Sequence, residues 1–214
     1  MQELTKEQFI QEMKVFEGLC NKSQTDLKSY IDGCAELNLK EKLENRYSDF
    51  EKFIEYVTTN TNFINAPAST KYHLCIEHGL LVHSNLVVKT MIKLNNALNC
   101  NIPLYQIITC GLFHDLGKHN CYIKNEPTEN QKKYGYKASV PYSFSEIEYN
   151  EHECRSVWMI SKYIDLEESE FVAIMYHNSP WDGVIKNAFK KNKLMTILEM
   201  ADYYSTCYLE DRLD

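Results

Sequence analysis

Leu104-Tyr105-Gln106-Ile107-Ile108-Thr109-Cys110-Gly111-Leu112-Phe113-His114-Asp115-Leu116-Gly117-Lys118 is the stretch on which the reading of the fold turns. Pro103 opens it, where a helix start tolerates proline. Leu104, Ile107, Ile108 and Leu112 recur at helical spacing, and this apolar run delivers His114 and Asp115 to its end. An imidazole beside a carboxylate at that place either answers the helix dipole or carries chemistry. The neighbouring segments decide between the two.

Upstream, residues 79–98 have the helical period, with Leu80, His83, Val87, Met91, Leu94 and Leu98 on one face. A second histidine therefore lies on an apolar stripe. Downstream, residues 119–146 break the period; Cys121–Lys124 and Tyr134–Val140 read as extended and predict a short hairpin or a structured loop. Helical periods return over 149–164, 167–178 and 193–211, with a loop at Asn178–Gly183. The first 60 residues read as helices without chemistry. Thr5 caps one that carries Phe9, Ile10, Met13 and Phe16 and ends at Gly18; Leu39, Leu43, Tyr47, Phe50, Phe53, Ile54 and Val57 mark another. Polar Asn60–Thr70, with Pro67, is the joint. The expected fold is all-α, with an N-terminal helical cap over 1–65 and a bundle over 66–214 broken by the hairpin or loop insertion.

Composition excludes several classes of protein. The chain has 214 residues, 44% apolar and 25% charged, with 7 Gly and 5 Pro, which suits a globular helical protein and not a disordered one. The 30 Asp and Glu outnumber the 23 Lys and Arg, giving a net charge of −7. That balance argues against a protein that coats duplex nucleic acid, yet it leaves room for a nucleotide in one local cationic pocket. No run reaches the ~18 apolar residues of a membrane span, so no membrane partner is expected. The start lacks the layout of a signal peptide. The 8 cysteines include no Cys-x-x-Cys and read as reduced, mostly buried thiols of a cytoplasmic protein.

Three more groups join the two histidines and Asp115. His152 precedes Ser156 and Met159 on one helical face, His177 follows Ala173 and Ile174, and Asp202 lies on the apolar face that carries Met195 and Leu198. Each has an ordinary explanation taken singly: a hydrogen-bonded core histidine, a histidine at a helix end, an aspartate paired with a lysine. Together they do not. A buried ionised aspartate is costly without a cation, and each neutral imidazole needs partners for both nitrogens. A metal cluster where these helices cross satisfies His83, His114, Asp115, His152, His177 and Asp202 at once.

This order, His, then His-Asp, then His, His and Asp, resembles the HD-domain metal-dependent phosphohydrolases. Gly79-Leu80-Leu81-Val82-His83-Ser84 is similar to the motif of their first histidine, and His114-Asp115-Leu116-Gly117-Lys118 to their signature pair with its following lysine. Asn150-Glu151-His152-Glu153 and Ile174-Met175-Tyr176-His177 are similar to the extra histidines of the dinuclear branch, and Met200-Ala201-Asp202 to the closing aspartate. The likeness covers about residues 70–210. It departs at His78-Gly79, where many relatives have Gly-Gly, which adds bulk beside the first ligand.

The resemblance implies an HD-domain helical bundle holding two divalent transition-metal ions, of Fe, Mn, Ni or Zn. One takes His83, His114, Asp115 and Asp202; the other takes His152 and His177, with Asp115 bridging. It implies hydrolysis of a phosphate ester or anhydride of a small molecule, a nucleotide foremost, by water that the metals convert to hydroxide. Asp115 and Lys118 are the expected catalytic residues, Lys118 supplying fixed positive charge; otherwise Lys118 is an ordinary helix-end lysine. His73 falls where similar proteins direct a histidine to the pocket. Trp181 and Asp182 follow a ligand helix and suit a lid over a base or sugar. Tyr134 and Tyr136 are candidates for stacking, and Lys186, Lys190, Lys191 and Lys193 for attracting phosphate, although such a run is more often a solvated face. Two rivals remain: a di-iron oxygenase with the same ligand order, and a ligand-sensing module stabilised by metal.

Overall fold

The computed structural model describes residues 3–145, 151–178 and 192–210. The described chain is mostly helical, with one two-stranded sheet. In order it forms α1 (Lys6–Gly33), α2 (Leu37–Asn60), α3 (Gly79–Ala97), α4 (Leu104–Phe113) and a 3-10 turn (Leu116–Asn120). It continues with β1 (Tyr122–Lys124), α5 (Glu129–Lys133), β2 (Tyr142–Phe144), α6 (His152–Ser161), α7 (Glu168–Tyr176), α8 (Lys193–Tyr204) and a π-turn (Ser205–Leu209). No described helix is long and apolar enough to cross a membrane.

α4 is the axle. Tyr105 to Phe113 are buried without interruption, because α1, α3, α7 and α8 all pack against it. Phe16, Phe50 and Phe53 from the first two helices share one buried cluster with Leu80, Ile107, Phe113, Ile160, Ile174 and Leu198. The rings of Phe53 and Phe113 meet edge to face at 4.8 Å. Such pairing adds to the large area that each ring buries.

A buried ion pair ties α2 to α7 through this core. Arg46 Nη1 and Nη2 donate to the two carboxylate oxygens of Glu170 at 2.7 and 2.6 Å, and Nη2 also donates to Thr109 Oγ1 of α4. This two-pronged geometry offsets the cost of burying both charges, because nearly every donor and acceptor has a partner.

Three local expectations are corrected. The first helix does not end at Gly18 but runs to Gly33. A mid-helix glycine costs only about 1 kcal/mol relative to alanine, and the buried stripe continues past it through Leu19, Cys20, Ser23, Leu27 and Ile31. The hairpin exists, but β1 pairs antiparallel with Tyr142–Phe144. Tyr134–Val140 is turn and loop after the short α5, with Tyr134 and Tyr136 exposed. The last helix changes pitch after Tyr204 instead of running on as one α-helix. No disulfide joins the described cysteines; Cys20, Cys75, Cys110 and Cys121 are buried, while Cys154 and Cys207 are exposed.

The entry to α3 explains the departure at His78-Gly79. His78 takes a left-handed backbone, φ 68°, stacks its ring on Phe9 at 4.0 Å and directs Nδ1 to the Ile64 carbonyl at 2.9 Å. Its bulk points toward α1. A Cβ on Gly79 would come within 2.0 Å of the Leu74 carbonyl oxygen, so glycine is required at this one position for the loop to close on the start of α3.

Candidate metal centre

Five segments bring the six expected residues together. α3 supplies His83 one turn from its start, the end of α4 supplies His114 and Asp115, α6 opens with His152, α7 closes at His177, and α8 carries Asp202. His83, His114, Asp115 and His177 are buried. Lys118, His152 and Asp202 keep side-chain exposures of 17%, 13% and 25%, so the centre opens to solvent on their side.

Asp115 is the hub, and its two oxygens face different partners. Oδ2 lies 3.6 Å from His83 Nε2 and 3.5 Å from His114 Nε2; Oδ1 lies 3.0 Å from His152 Nε2 and 3.5 Å from His177 Nε2. Asp202 Oδ1 lies 3.3 Å from His83 Nε2. Lys118 Nζ, one turn on from Asp115, donates to Oδ2 at 2.6 Å.

The ring orientations follow from what lies behind them. His114 Nδ1 meets the Gly111 carbonyl at 3.0 Å and His177 Nδ1 meets the Ile174 carbonyl at 2.7 Å. A carbonyl only accepts, so each Nδ1 carries a proton, and in the neutral ring Nε2 is the lone-pair atom that faces the centre. His83 Nδ1 is held in the same way by Glu210 Oε1 at 2.6 Å. Outward Nδ1 bonds of this kind orient metal-ligating histidines.

Charges in the centre are strongly displaced. Burial opposes the Asp115 charge, yet Lys118, His114 and nearby His152 hold its carboxyl well below the ordinary range. Burial likewise opposes the Lys118 ammonium, but Asp115 raises its pKa. Burial pushes His114 down to about 3, keeping it neutral. His83 goes the other way: burial opposes its charge, but hydrogen bonds to Asp202 and Glu210 raise it to about 10.

Donor chemistry and geometry fit a cation. Asp115 Oδ1 and His152 Nε2 are buried and, although 3.0 Å apart, neither has a hydrogen-bond partner of acceptable geometry. Two lone-pair atoms turned to a common point are ordinary around a metal and costly without one. Buried groups here could hold a metal ion: His83, His114 and Asp202 form one such set, His114, Asp115 and His177 another, each with donor atoms within 4.8 Å of one another. Compared with known families, curated proteins and solved structures, the chain returns no match. The cluster itself is compatible with the HD-type likeness seen in its residues.

The pitch of the last helix and the close contacts of the His-Asp turn involve further residues, most of which the motifs alone give no role. Glu210 accepts from His83 and, through Oε2, contacts His73 Nδ1 at 2.5 Å. Its signal was faint: a lone glutamate eight residues past Asp202. Glu153 joins His152 and His177 as a further possible donor. Gly117 lets α6 approach, since a Cβ there would lie 2.2 Å from the His152 carbonyl oxygen. Ser156 Oγ locks the contact by accepting from Gly117 N–H at 2.8 Å. His73 stands beside His83, ring centroids 5.3 Å apart, with its Nδ1 committed to Glu210. Trp181, Asp182, Lys186, Lys190 and Lys191 lie outside the described residues.

Proposed function

We propose that this protein is a metal-dependent phosphohydrolase of the HD type, acting on a phosphate ester or anhydride of a small molecule, with a nucleotide as the expected substrate. The observation that carries the reading is the division of Asp115, with one oxygen turned to His83 and His114 and the other to His152 and His177. His83, His114, Asp115 and Asp202 would hold one ion; His152 and His177, sharing Asp115, would hold a second. Imidazole and carboxylate donors suit Fe, Mn, Ni or Zn. Bound divalent ions of this kind activate water near neutral pH and polarise phosphoryl oxygens.

The chain contributes orientation, charge and exclusion of water. Nδ1 bonds to the Gly111 and Ile174 carbonyls fix His114 and His177, so no reorganisation is needed as substrate arrives. The buried faces of His83, His114 and His177 keep bulk water from one side of the centre. Lys118 sits on the open side beside Asp115 and brings a fixed positive charge toward the phosphoryl group. A lysine in that place favours phosphate chemistry over oxidation of carbon.

Metal analysis followed by an anaerobic hydrolysis screen over a nucleotide panel tests the reading. About two ions per chain and phosphate release without dioxygen are expected. Turnover only in air, with dioxygen consumption and iron dependence, would replace it with the oxygenase. Full occupancy by metal with no turnover of any panel member would replace it with a ligand-sensing module.

A further inference from the structure

The last helix changes pitch between two carboxylates. α8 ends at Tyr204, and the π-turn Ser205–Leu209 is closed by a bond from Glu210 N–H to the Ser205 carbonyl. In an unbroken α-helix, eight residues overshoot two turns by about 80°, and Asp202 and Glu210 would face different neighbours. The wider π-turn, with its i→i+5 bonding, absorbs that excess. Both carboxylates consequently reach one ring: Asp202 Oδ1 lies 3.3 Å from His83 Nε2, and Glu210 Oε1 lies 2.6 Å from His83 Nδ1. Glu210 is only 2% exposed, and its other oxygen is occupied by His73 Nδ1.

We infer that Glu210 is a positioning residue for His83, placed by the π-turn, and that it sets how tightly the chain holds a transition-metal ion. The inference rests on the metal-centre reading above. A carboxylate behind a ligating imidazole fixes the ring's tautomer and direction and makes the facing nitrogen a better donor. His73 completes the arrangement by holding the second oxygen, which stops the carboxylate from rotating away. His73, His83 and Glu210 also offer donor atoms within 4.8 Å of one another. Their nitrogen–oxygen separations of 2.5 and 2.6 Å are hydrogen-bond distances. Donors that each lie about 2.0–2.2 Å from one ion stand farther apart than this, so the trio supports the centre and is not a further metal site.

The test titrates the full-length protein with Mn2+ and Co2+. Glu210→Gln and Glu210→Ala should each weaken binding about 10- to 100-fold, shift the Co2+ absorption bands and leave the helical circular dichroism unchanged. His73→Ala should give a smaller loss, because the His83 contact survives. In a His83→Ala background, adding Glu210→Gln should weaken binding no further. Deleting Cys207, with the helical circular dichroism again unchanged, checks the π-turn: seven α-helical residues turn about 700°, which keeps Glu210 on the Asp202 side, so wild-type affinity is expected. Wild-type affinity and an unchanged Co2+ spectrum in Glu210→Gln would overturn the inference and leave the metal centre standing, as would an equal loss with and without His83. A Cys207 deletion that loses as much affinity as Glu210→Ala would overturn the part assigned to the π-turn. A wild-type chain that takes up neither ion would overturn the metal centre, and this inference with it.

Discussion

Two buried polar networks lie a few turns apart in this bundle, and they are built on opposite principles. Around Arg46, one guanidinium meets one carboxylate through two hydrogen bonds, and Thr109 takes a third. That network is closed: its charges balance within the protein. Around Asp115, three carboxylates (Asp115, Asp202 and Glu210) converge with five imidazoles (His73, His83, His114, His152 and His177), and Lys118 is paired with Asp115. Two buried atoms there have no partner of good geometry. A network that closes on itself holds the fold together; one left with excess negative charge and inward lone pairs could hold a cation.

The largest break in this contrast should come from Asp115. Asp115→Ala removes the group that faces all four imidazoles, so metal uptake and hydrolysis should both fall to background. Elemental analysis and phosphate release measure this; one retained ion with normal affinity would show that Asp115 is not shared. Arg46→Met should instead cost about 3–5 kcal/mol of stability by leaving Glu170 buried and unpaired. Metal affinity per folded molecule should stay unchanged. Arg46→Met with Glu170→Met should recover most of the loss in a urea melt, whereas Asp115 has no such compensating change.

Lys118→Met comes next. It should leave metal content intact and slow hydrolysis about a hundred- to a thousandfold, or about 2.7–4 kcal/mol, the range for one lost charge-stabilising contact. Turnover at the wild-type rate would return Lys118 to an ordinary helix-end role. Gly117→Ala should cost about 1–3 kcal/mol by overpacking, since the new Cβ meets the His152 backbone, and should weaken binding mainly at the His152 and His177 position.

The smallest effect concerns pH. Against an ordinary value of 6.5, His83 is raised to about 10 when only protein groups surround it, so binding a cation must expel its proton. Apparent metal affinity should therefore rise with pH through the neutral range, by about tenfold or 1.4 kcal/mol per unit. Calorimetry in buffers of different ionisation enthalpy should detect the released proton. The Arg46 network should show no such dependence over the same range, because burial works against a charge that Glu170 more than restores and keeps raised.

Much of this was legible because helices display their chemistry periodically. His83 on its apolar stripe, and His114-Asp115 at the end of the Leu104–Phe113 helix, were visible as spacing alone. So were the all-α class and the break that follows, read as a hairpin or a structured loop, though the strand that makes it a hairpin was not: Tyr142–Phe144 pairs through backbone groups that any residue offers. Gly18 misled for a related reason. A local signal worth about 1 kcal/mol is overridden when burial of Leu19, Leu27 and Ile31 continues on the far side. Glu210 was hidden because an α-helical period places it off the Asp202 face, and only the π-turn brings it back.

By itself, then, the order of residues determined which side chains have metal-ligating chemistry and which helices carry them, because residue type and helical period are local properties. Only the tertiary structure decided how the oxygens of Asp115 are divided, which carbonyls fix the imidazole protons, that Arg46 belongs with Glu170, and that Glu210 stands behind His83. Each of these depends on the distance and direction between segments far apart in the chain. Those are set by how buried side chains pack together, which no local pattern encodes.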